Sequence, residues 1–513
     1  MSSALASSVH RSTDGLKVGT VPRLFEVSDL VDPQAPLSLY CALRQERYPF
    51  LLESVEKSGQ RARFSFVGAS PAAVVTVKGR RFDLEIFDGK GGLDEIMQKR
   101  LLTSARLDGA GADGSGDDGF LLAGEIRRGM DLFDLLRSAI PAGVGPSKFG
   151  RQAFLGGGIG YLAYDLVGER IERPPNSDAP DAKFGIFDKS FVFDHLTGKV
   201  CLAVAPLVPE DDPEKMAAGA IDRLRDLDLK VPGGGDLAPI SVESDPAEPF
   251  EEAVLKAKEH ILDGDIFQVV LSRRTRVRLA NPDPVLLYRR LREINPSPYT
   301  YIFEFGDEAL VGASPETLFS LYDRVVTTNP IAGTCPRGGS PQEDDLLASK
   351  MLEDEKERAE HVMLVDLGRN DVRSVSKAGS IKVEDFMSVL RYSHVQHIET
   401  TVRGTLRDEC DQFDAARAIF PAGTLSGAPK IRAMEIIDDL EGEARGIYGG
   451  GVGYFSADGS ADFAITIRSV VIKDGTAVVQ AGAGIVADSD PHREYLETER
   501  KMAAMKRALG VEL

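Results

Sequence analysis

Two pairs of glutamates have the spacing of side chains that share one face of a helix. Glu357 and Glu360 lie in the stretch DEKERAEHVMLVDLGRND, and Glu494 and Glu497 lie near the C-terminus in EYLETERK. Residues three apart on a helix project from the same side. An isolated pair of this kind is usually a solvated helix face, but carboxylate oxygens are also the ligands that Mg²⁺ prefers in proteins. The two pairs therefore predict a Mg²⁺ site between two helices.

The composition limits the classes of protein and of ligand. The chain has 513 residues, of which 42% are apolar and 27% charged, as in an ordinary globular protein of roughly two to four domains. Its net charge of −19 and its lack of a long basic run argue against binding to nucleic acid or to an anionic membrane surface. An anionic substrate therefore has to be bound by a metal, by a few Arg or Lys side chains or by backbone amides.

The sequence carries no signal for export or for membrane insertion. It contains no run of about 18 apolar residues, so no membrane span is predicted. Residues 1–20 are polar and predict a disordered leader instead of a signal peptide. The cysteines have no framework spacing, which predicts free thiols in a soluble, cytoplasmic protein. They are Cys41, Cys201, Cys335 and Cys410.

The strand and helix patterns predict an α+β fold in two regions. Alternating apolar residues, as in RARFSFVG (61–68), predict antiparallel-looking strands, and helical patterns such as 250–262 interleave with them. The stretch 231–249 is rich in Gly, Pro and acidic residues and predicts a linker. It divides residues 21–230, which we interpret as a regulatory region, from a motif-rich region at 250–510.

Glycine-rich stretches give two further expectations. The segments GGGIGYLAYD (156–165) and GGGVGYFSAD (449–458) are closely similar, and each glycine cluster leads into a strand-like alternation. Because glycine permits close approach of backbones, we expect two related sheet layers here. The acidic, Gly-rich stretch 107–119 has nothing to bury and predicts a mobile surface loop.

The motifs of the chain form one ordered set. In order they are LLES, GDIFQVVLS, INPSPYT, GASPE, PIAGT, KERAEH, DLGRND, HI, FPAGTLSGAPK, AGAGIV and EYLET. This set resembles the chorismate-utilising enzymes, and most closely the large-subunit, component I family of anthranilate synthases. The resemblance covers nearly the whole chain beyond residues 1–20. It implies a four-layer α/β/β/α sandwich with an N-terminal regulatory subdomain.

The resemblance implies an enzyme that acts on chorismate, an enol-pyruvyl ether with two carboxylates. Ammonia would add at ring C2 with loss of the C4 hydroxyl, and loss of pyruvate would then give anthranilate, a step of tryptophan biosynthesis. Glu316 is the expected general acid for the departing hydroxyl, a role that needs a raised pKa in a partly desolvated pocket. His397 is expected to assist the elimination of pyruvate, with His394 as the less favoured partner.

The same resemblance implies the binding residues. Tyr448 and Arg468 are expected at the pyruvyl carboxylate, together with backbone N–H groups of two nearby glycines. Gly333 and Thr334 are expected at the ring carboxylate. The full predicted substrate set is Gln268, Gly333, Thr334, Tyr448, Arg468, Gly482, Gly484 and Lys501. The expected Mg²⁺ ligands are chiefly Glu360 and Glu497, with Glu357 and Glu494 adjacent or acting through water.

Two positions separate the branches of this family. Isochorismate-type members carry a lysine where this chain has Gln268, whose amide cannot act as a base. Aminodeoxychorismate synthases carry a lysine where this chain has Ala332. The absence of both lysines favours the ammonia-using branch. An aminodeoxyisochorismate or aminodeoxychorismate synthase is the enzymatic alternative, and a non-catalytic amino-acid-sensing paralogue is the alternative from another class.

The LLES and INPSPYT segments resemble the tryptophan feedback site of the family. Glu53 and Ser54 are expected at the ammonium group of the inhibitor, and Thr300 stands where the family commonly has Met. The predicted site residues are Glu53, Ser54, Pro298, Tyr299, Gly453 and Tyr454.

None of the four cysteines has the setting of a glutaminase nucleophile. Ammonia is therefore expected from a separate glutamine amidotransferase subunit (component II), in a heterotetramer, or from solution.

Overall fold

A computed structural model of the chain describes residues 21–54, 63–87, 92–111, 119–141, 149–171, 179–392 and 395–512. The predicted leader at 1–20 and His394 lie outside these ranges. The α-helices are α1 (Pro36–Leu43), α2 (Leu93–Leu101), α3 (Leu132–Ala139), α4 (Pro213–Arg225), α5 (Ala247–Leu262), α6 (Pro284–Ile294), α7 (Pro341–Glu353), α8 (Glu355–Arg373), α9 (Gln412–Ile419), α10 (Lys430–Leu440) and α11 (Pro491–Ala508).

Strands supply the two central layers of the molecule. Those of the N-terminal half are β1 (Arg23–Glu26), β2 (Phe50–Glu53), β3 (Phe64–Gly68), β4 (Ala73–Lys78), β5 (Arg81–Ile86), β6 (Ala105–Gly111), β7 (Phe120–Ile126), β8 (Gly157–Leu162), β9 (Ala182–Phe187), β10 (Lys189–Asp194), β11 (Lys199–Val204) and β12 (Pro239–Ser244). Those of the C-terminal half are β13 (Gln268–Leu279), β14 (Tyr299–Phe305), β15 (Glu308–Ser314), β16 (Thr317–Tyr322), β17 (Val325–Thr328), β18 (Ile331–Pro336), β19 (Lys382–Arg391), β20 (Val395–Thr405), β21 (Gly427–Ala428), β22 (Gly451–Ser456), β23 (Ala461–Ile465), β24 (Ser469–Lys473) and β25 (Thr476–Ile485).

These strands form two antiparallel sheets. Sheet 1 has the order β1-β11-β10-β3-β2-β14-β15-β24-β25-β13-β12, and β21 pairs with β13. Sheet 2 has the order β18-β20-β17-β16-β23-β22-β8-β9-β4-β5-β7-β6, and β19 pairs with β20. The α+β prediction is therefore confirmed.

Three apolar clusters show that the layers stack as α/β/β/α. One cluster packs α1, α4, α6 and α11 on sheet 1, and another packs α2, α3 and α9 on sheet 2, while α10 contacts β13 and β21 of sheet 1. The third lies between the sheets, where Phe50 of β2 contacts Phe187 of β9 with ring centroids 4.7 Å apart, and Phe66 of β3 contacts Tyr454 of β22 at 5.5 Å. Each sheet thus buries one face on helices and the other face on its partner sheet.

Several sequence-based boundaries differ from the structure. Helix α5 begins at Ala247, three residues before the predicted start. Helix α8 continues through DLGRND to Arg373, where we expected an apolar segment after the helix. The stretch 107–119 is not a loop throughout, because β6 pairs with β7 as far as Gly111; residues 112–118 lie outside the described ranges. The predicted linker 231–249 contains β12, which pairs with β13 at the edge of sheet 1.

The two predicted regions share both sheets. Strand β2 pairs with β14 in sheet 1, and β8 pairs with β22 in sheet 2, so the central pair of each sheet joins the N-terminal half to the C-terminal half. The division into a regulatory and a catalytic region stays a prediction about function.

Two other sequence-based expectations concern thiols and membranes. All four cysteines are free thiols, as predicted. In the part of the chain that the structure describes, no helix combines the length and the apolar character needed to span a bilayer.

Candidate active site

Helices α8 and α11 carry the two glutamate pairs, and side-chain caps fix where each helix begins. Asp354 accepts hydrogen bonds from the backbone N–H groups of Lys356 and Glu357, and Asp490 caps α11, whose first residue is proline. The four predicted metal ligands, Glu357, Glu360, Glu494 and Glu497, are all half-buried. The sequence thus places both carboxylate pairs within the first two turns after a cap.

Electrostatic repulsion indicates that the carboxylates of the two helices face each other. Burial raises the pKa of Glu357, and the nearby charges of Glu360 and Glu497 raise it further. Burial likewise raises the pKa of Glu494, with a further contribution from Glu497. Within the described residues, no three His, Cys, Asp or Glu side chains already converge as a metal-binding group. The four glutamates nevertheless offer only carboxylate oxygens, which are the ligands that Mg²⁺ prefers. A bound cation would also relieve the repulsion between these carboxylates.

Gln268, the first residue of β13, lies beside this carboxylate group. Its Nε2 donates to Glu360 Oε1 at 2.9 Å, and its buried Oε1 has no hydrogen-bond partner among the described residues. A Cβ at Gly484 on the neighbouring β25 would lie 2.6 Å from Gln268 Nε2, so a larger residue there would displace the Gln268 amide. The structure therefore brings together the predicted residues of β13, β25 and α8.

Glu316 lies in the link between β15 and β16 and is buried. Its backbone C=O accepts a hydrogen bond from Ile465, which ties the link to β23. Thr424 Oγ1 donates to Glu316 Oε1 at 2.9 Å. Burial raises the pKa of Glu316 to about 8, and the charge of Glu399 adds to this effect, while Thr424 and Lys501 oppose it. Glu316 therefore holds its proton at neutral pH, as a general acid must.

His397 on β20 has the opposite protonation state. Its Nδ1 lies 2.7 Å from the backbone C=O of Gly333 and 3.1 Å from Thr334 Oγ1. Because a carbonyl oxygen only accepts, Nδ1 carries the proton and Nε2 is the acceptor. Burial lowers the pKa of His397, and the charges of Arg468 and Lys501 lower it further. His397 is therefore a neutral base at neutral pH.

The predicted anion-binding residues cluster around Gly482 of β25. Lys501 Nζ donates to the backbone C=O of Gly482 at 2.9 Å and lies 2.7 Å from Glu497 Oε1. Arg468 Nη1 donates to the backbone C=O of Lys501 at 2.7 Å, and burial lowers the pKa of Arg468. A Cβ at Gly482 would lie 3.0 Å from Tyr448 Oη. One contiguous site thus contains the predicted cations, the tyrosine and the glycine.

Sequence reasoning missed the side chains that hold the loop presenting Thr424. Lys430 is buried, and its Nζ donates to Asp371 Oδ2 at 2.6 Å and to the backbone C=O of Ile419 and Pro421. Arg445 Nη1 donates to the backbone C=O of Leu425 at 2.7 Å. A signal was present, because Lys430 and Thr424 belong to FPAGTLSGAPK. The motif does not reveal which side chain contacts which.

A cavity of about 720 Å³ lies between the two sheets. All the predicted tryptophan-site residues line it, and they come from β2, β14, β22 and the residues next to them: Glu53, Ser54, Pro298, Tyr299, Gly453 and Tyr454. A second cavity of about 30 Å³ lies at Glu316, and Thr317 and Asn329 line both cavities. The wall between the predicted effector site and the general acid is therefore formed by these two residues.

The polar groups of the large cavity differ in how they are bonded. Both oxygens of Glu53 accept from Arg292, at 2.8 and 2.9 Å, and Oε2 also accepts from Tyr288 at 2.6 Å. The buried Ser54 Oγ has no hydrogen-bond partner among the described residues. Asp462, which sequence reasoning missed, accepts from Tyr299 Oη at 2.9 Å. The carboxylate of Glu53 is thus already paired with Arg292.

The chain was compared with known proteins by sequence and by structure. The sequence model of the family described as chorismate binding enzyme matches residues 144–507. The anthranilate synthase component 1 of Haloferax volcanii is 47% identical over 93% of this chain and 92% of that protein. That of Thermococcus kodakarensis is 45% identical over 93% of this chain and 98% of that protein.

Solved structures agree with these relatives. The crystal structure of anthranilate synthase component I from Streptococcus pneumoniae TIGR4 superposes with a TM-score of 0.69 and 34% identity, over 88% of this chain and 94% of that chain. The menaquinone-specific isochorismate synthase of Escherichia coli has a TM-score of 0.67 over 96% of both chains, but at 19% identity it shows the fold alone. By sequence and by structure, the chain belongs to the chorismate binding enzyme family and, within it, to the anthranilate synthase component 1 proteins.

Proposed function

We propose that the chain is the chorismate-converting subunit of an anthranilate synthase, a lyase that forms anthranilate and pyruvate from chorismate and ammonia. The observation that carries this proposal is the pair of opposite proton states in one site. Glu316 is protonated at neutral pH, and His397 is neutral with Nε2 as its acceptor. The proposed reaction needs one group of each kind.

Glu316 supplies the proton for the first half of the reaction. Ammonia adds at ring C2, the ring double bonds shift, and the C4 hydroxyl leaves as water once Glu316 has protonated it. In the second half, His397 Nε2 removes the proton at the aminated carbon. The C–O bond to the enol-pyruvyl group then breaks, the ring becomes aromatic and pyruvate leaves. The added ammonia nitrogen loses one proton, which replaces the proton that Glu316 gave to the hydroxyl. The enol-pyruvyl group leaves as the enolate of pyruvate and takes up one proton, which balances the proton that His397 removed.

The substrate's two carboxylates require positive charge in a protein with a net charge of −19. Arg468, Tyr448 and the backbone N–H groups near Gly482 suit the pyruvyl carboxylate, while Gly333 and Thr334 suit the ring carboxylate. Lys501 adds charge between Glu497 and Gly482. We assign Mg²⁺ to Glu360 and Glu497, with Glu357 and Glu494 adjacent. When bound, it would neutralise the ring carboxylate and attract electron density from the ring.

The alternative activities lack the side chains that they need. Gln268 bonds to Glu360 through its amide, and Ala332 offers no amine, so neither position can supply a base or a nucleophile. The named relatives also favour an anthranilate synthase over an isochorismate or aminodeoxychorismate synthase.

Feedback inhibition by L-tryptophan is the second part of the proposal. The cavity of about 720 Å³ has aromatic walls at Tyr299 and Tyr454, and the Ser54 hydroxyl has no partner among the described residues, which suits an indole amino acid. We further propose a separate glutamine amidotransferase subunit as the ammonia source, a heterotetrameric assembly and a cytoplasmic location. The free cysteines support the location.

The first test is to incubate the purified chain with chorismate, an ammonium salt and Mg²⁺ and to follow anthranilate fluorescence with and without L-tryptophan. We expect a signal that requires Mg²⁺, is lost in the Glu316→Gln variant and falls as tryptophan is added. Activity that ignores tryptophan would refute the feedback proposal alone. If chorismate is consumed without anthranilate fluorescence, the chain has one of the alternative chorismate-converting activities. The mass of the product would then identify that activity.

A further inference from the structure

The two halves of the chain are copies of one folding unit. The series α1-β2-β3-β4-β5-β7-α3-β8-β9-β10-β11-α4 of the first half recurs as α6-β14-β15-β16-β17-β20-α9-β22-β23-β24-β25-α11, and the orders of both sheets are symmetric about their centres. Short sequences repeat at equivalent places. They are PLSLYCALR (36–44) and PVLLYRRLR (284–292), VGASP (67–71) and VGASP (311–315), DLFDLLR (131–137) and DQFDAAR (411–417), and GGGIGY (156–161) and GGGVGY (449–454).

The contacts repeat together with the sequences. Tyr40 and Arg44 of α1 bond to Glu304 of the second copy, as Tyr288 and Arg292 of α6 bond to Glu53 of the first. Each glutamate is therefore clamped by the other copy's helix. The clamp at Glu304 lies away from the large cavity, so this arrangement belongs to the fold and not to ligand recognition. Glu53 is thus a poor candidate for the ammonium group of an effector.

The large cavity has a counterpart in the other copy, and side chains fill that counterpart. Tyr48 and Tyr161 occupy the positions of Tyr299 and Tyr454. Phe305 stands where the cavity has Ser54, and its ring lies 5.9 Å from that of Tyr161. The smaller serine side chain leaves space in the large cavity that the phenylalanine ring fills in the other copy.

The second difference between the two copies concerns charge. Asp462 is paired across the strands with Tyr454, and Lys183 is paired with Tyr161 in the same register. Lys183 Nζ donates to the backbone C=O of Phe305 at 3.3 Å and also lies over the Phe305 ring. Its charge therefore interacts with the side chain that fills the counterpart of the cavity. Asp462 instead lines the open cavity.

Asp462 retains acceptor capacity toward the cavity. Its Oδ1 accepts from Tyr299 Oη at 2.9 Å, and its Oδ2 accepts from Gln152 Nε2 at 3.3 Å. The charge of Arg151, which lines the same cavity, also acts on Asp462. A carboxylate offers about four acceptor positions, so the two hydrogen bonds from neutral donors still leave room for a charged one. Burial raises the pKa of Asp462 to about 6, which still leaves it ionised at neutral pH. A buried carboxylate of this kind is stabilised by a cationic donor.

We infer that Asp462 is the specificity-determining residue that recognises the ammonium group of the effector amino acid. This inference rests on the proposed feedback site and moves the ammonium contact from Glu53 to Asp462. The aromatic ring of the effector then occupies the space that Phe305 fills in the other copy, beside Ser54 and Tyr454. A ligand with the same ring and carboxylate but without an amino group gains nothing from Asp462.

The test compares L-tryptophan with indole-3-propionate, which lacks only the α-amino group. The chain contains no tryptophan, so the fluorescence of either ligand reports its binding directly. We expect the wild type to bind tryptophan more tightly. Asp462→Asn should weaken tryptophan binding roughly 10- to 100-fold and change indole-3-propionate binding less than about threefold. Asp462→Ser, a smaller neutral variant, should show the same ligand dependence, and circular dichroism establishes that each variant is folded.

The matched control is Asp323→Asn, which removes an exposed carboxylate at the rim of the same cavity and should alter neither affinity. If the Asp462 variants weaken both ligands equally, or leave tryptophan binding unchanged, the inference is wrong and the feedback site stands. If the wild type binds neither ligand, the feedback proposal itself fails together with the inference.

Discussion

The carboxyl of Glu316 is kept protonated mainly by burial. Thr424 donates to it and thereby favours the ionised form, but the loss of hydration outweighs this bond and raises the pKa to about 8. Charges on the surrounding elements are Glu399 on β20 and Lys501 on α11, and Asp371 on α8 lines the same small cavity. Environment alone thus converts an ordinary glutamate into an acid that works at neutral pH.

The first prediction concerns the pH dependence of turnover. The active form of Glu316 is protonated, so kcat/KM for chorismate should fall as the pH rises through about 8. Glu316→Gln should lower kcat by roughly 10³-fold and remove this limb, because the amide cannot donate an acidic proton. The assay holds the concentration of un-ionised ammonia constant by adjusting total ammonium at each pH. A wild-type limb that persists unchanged in the Gln variant would contradict the assignment.

The second prediction separates the two halves of the reaction. In the proposed mechanism His397 Nε2 acts after amination, so His397→Gln should still consume chorismate but release little anthranilate. Mass spectrometry should then detect the aminated intermediate that retains the enol-pyruvyl group. Glutamine approximates the size of the ring and carries no basic nitrogen, which isolates the loss of the base. Equal loss of chorismate consumption and anthranilate formation would assign His397 to binding or to the first step.

Among the elements, strand β16 connects the proposed effector cavity to Glu316, the proposed general acid. Its first residue, Thr317, follows Glu316 directly, lines both cavities and places Oγ1 2.9 Å from Tyr299 Oη. Asn329 forms the rest of the wall, and its Nδ2 donates to Thr401 Oγ1 at 3.0 Å. A ligand that moves Tyr299 should therefore act on Thr317, the residue next to Glu316, the proposed general acid.

The third prediction follows from this wall. Coupling between two sites is reciprocal, so chorismate should raise the Kd of tryptophan by the factor with which tryptophan weakens chorismate binding, on the order of 5- to 150-fold. In Thr317→Val this factor should fall below about threefold, because the hydroxyl contact with Tyr299 is lost. Tryptophan fluorescence measures both Kd values in the absence of ammonia. Thr317→Ser, which keeps the hydroxyl, should retain the coupling, and an undiminished factor in Thr317→Val would place the connection elsewhere.

At the scale of the whole molecule, ordered motifs predicted the fold class and the residues that meet at the site. The motifs could not predict that Arg292 and Tyr288 occupy the carboxylate of Glu53, because these partners lie far away in sequence and meet it only when β2 pairs with β14. Nor did the linker composition reveal β12, because the alternation of Ile240 and Val242 with polar residues is short and follows a stretch rich in Gly and Pro. The repeat was visible in part, as GGGIGY and GGGVGY, but its other copies are short, and all except VGASP contain substitutions.

The fourth prediction is that the two halves unfold as one unit, although the sequence divides them at 231–249. Separation would break the β2–β14 and β8–β22 pairs and expose the aromatic cluster between the sheets. It would also separate Glu53 from Arg292 and Glu304 from Arg44. These arginines are partly exposed, so we expect each loss to cost about 1–2 kcal/mol, below the range for fully buried pairs.

Against a typical total stability of about 5–15 kcal/mol, these losses together should leave neither half folded alone. We expect urea unfolding of the full chain to give coincident transitions by circular dichroism and by tyrosine fluorescence, which no tryptophan obscures. Residues 1–230 and 231–513 expressed separately should show no cooperative transition, whereas their co-expression should restore one. A cooperative transition in the isolated 231–513 fragment would instead make the sequence boundary a boundary between independent domains.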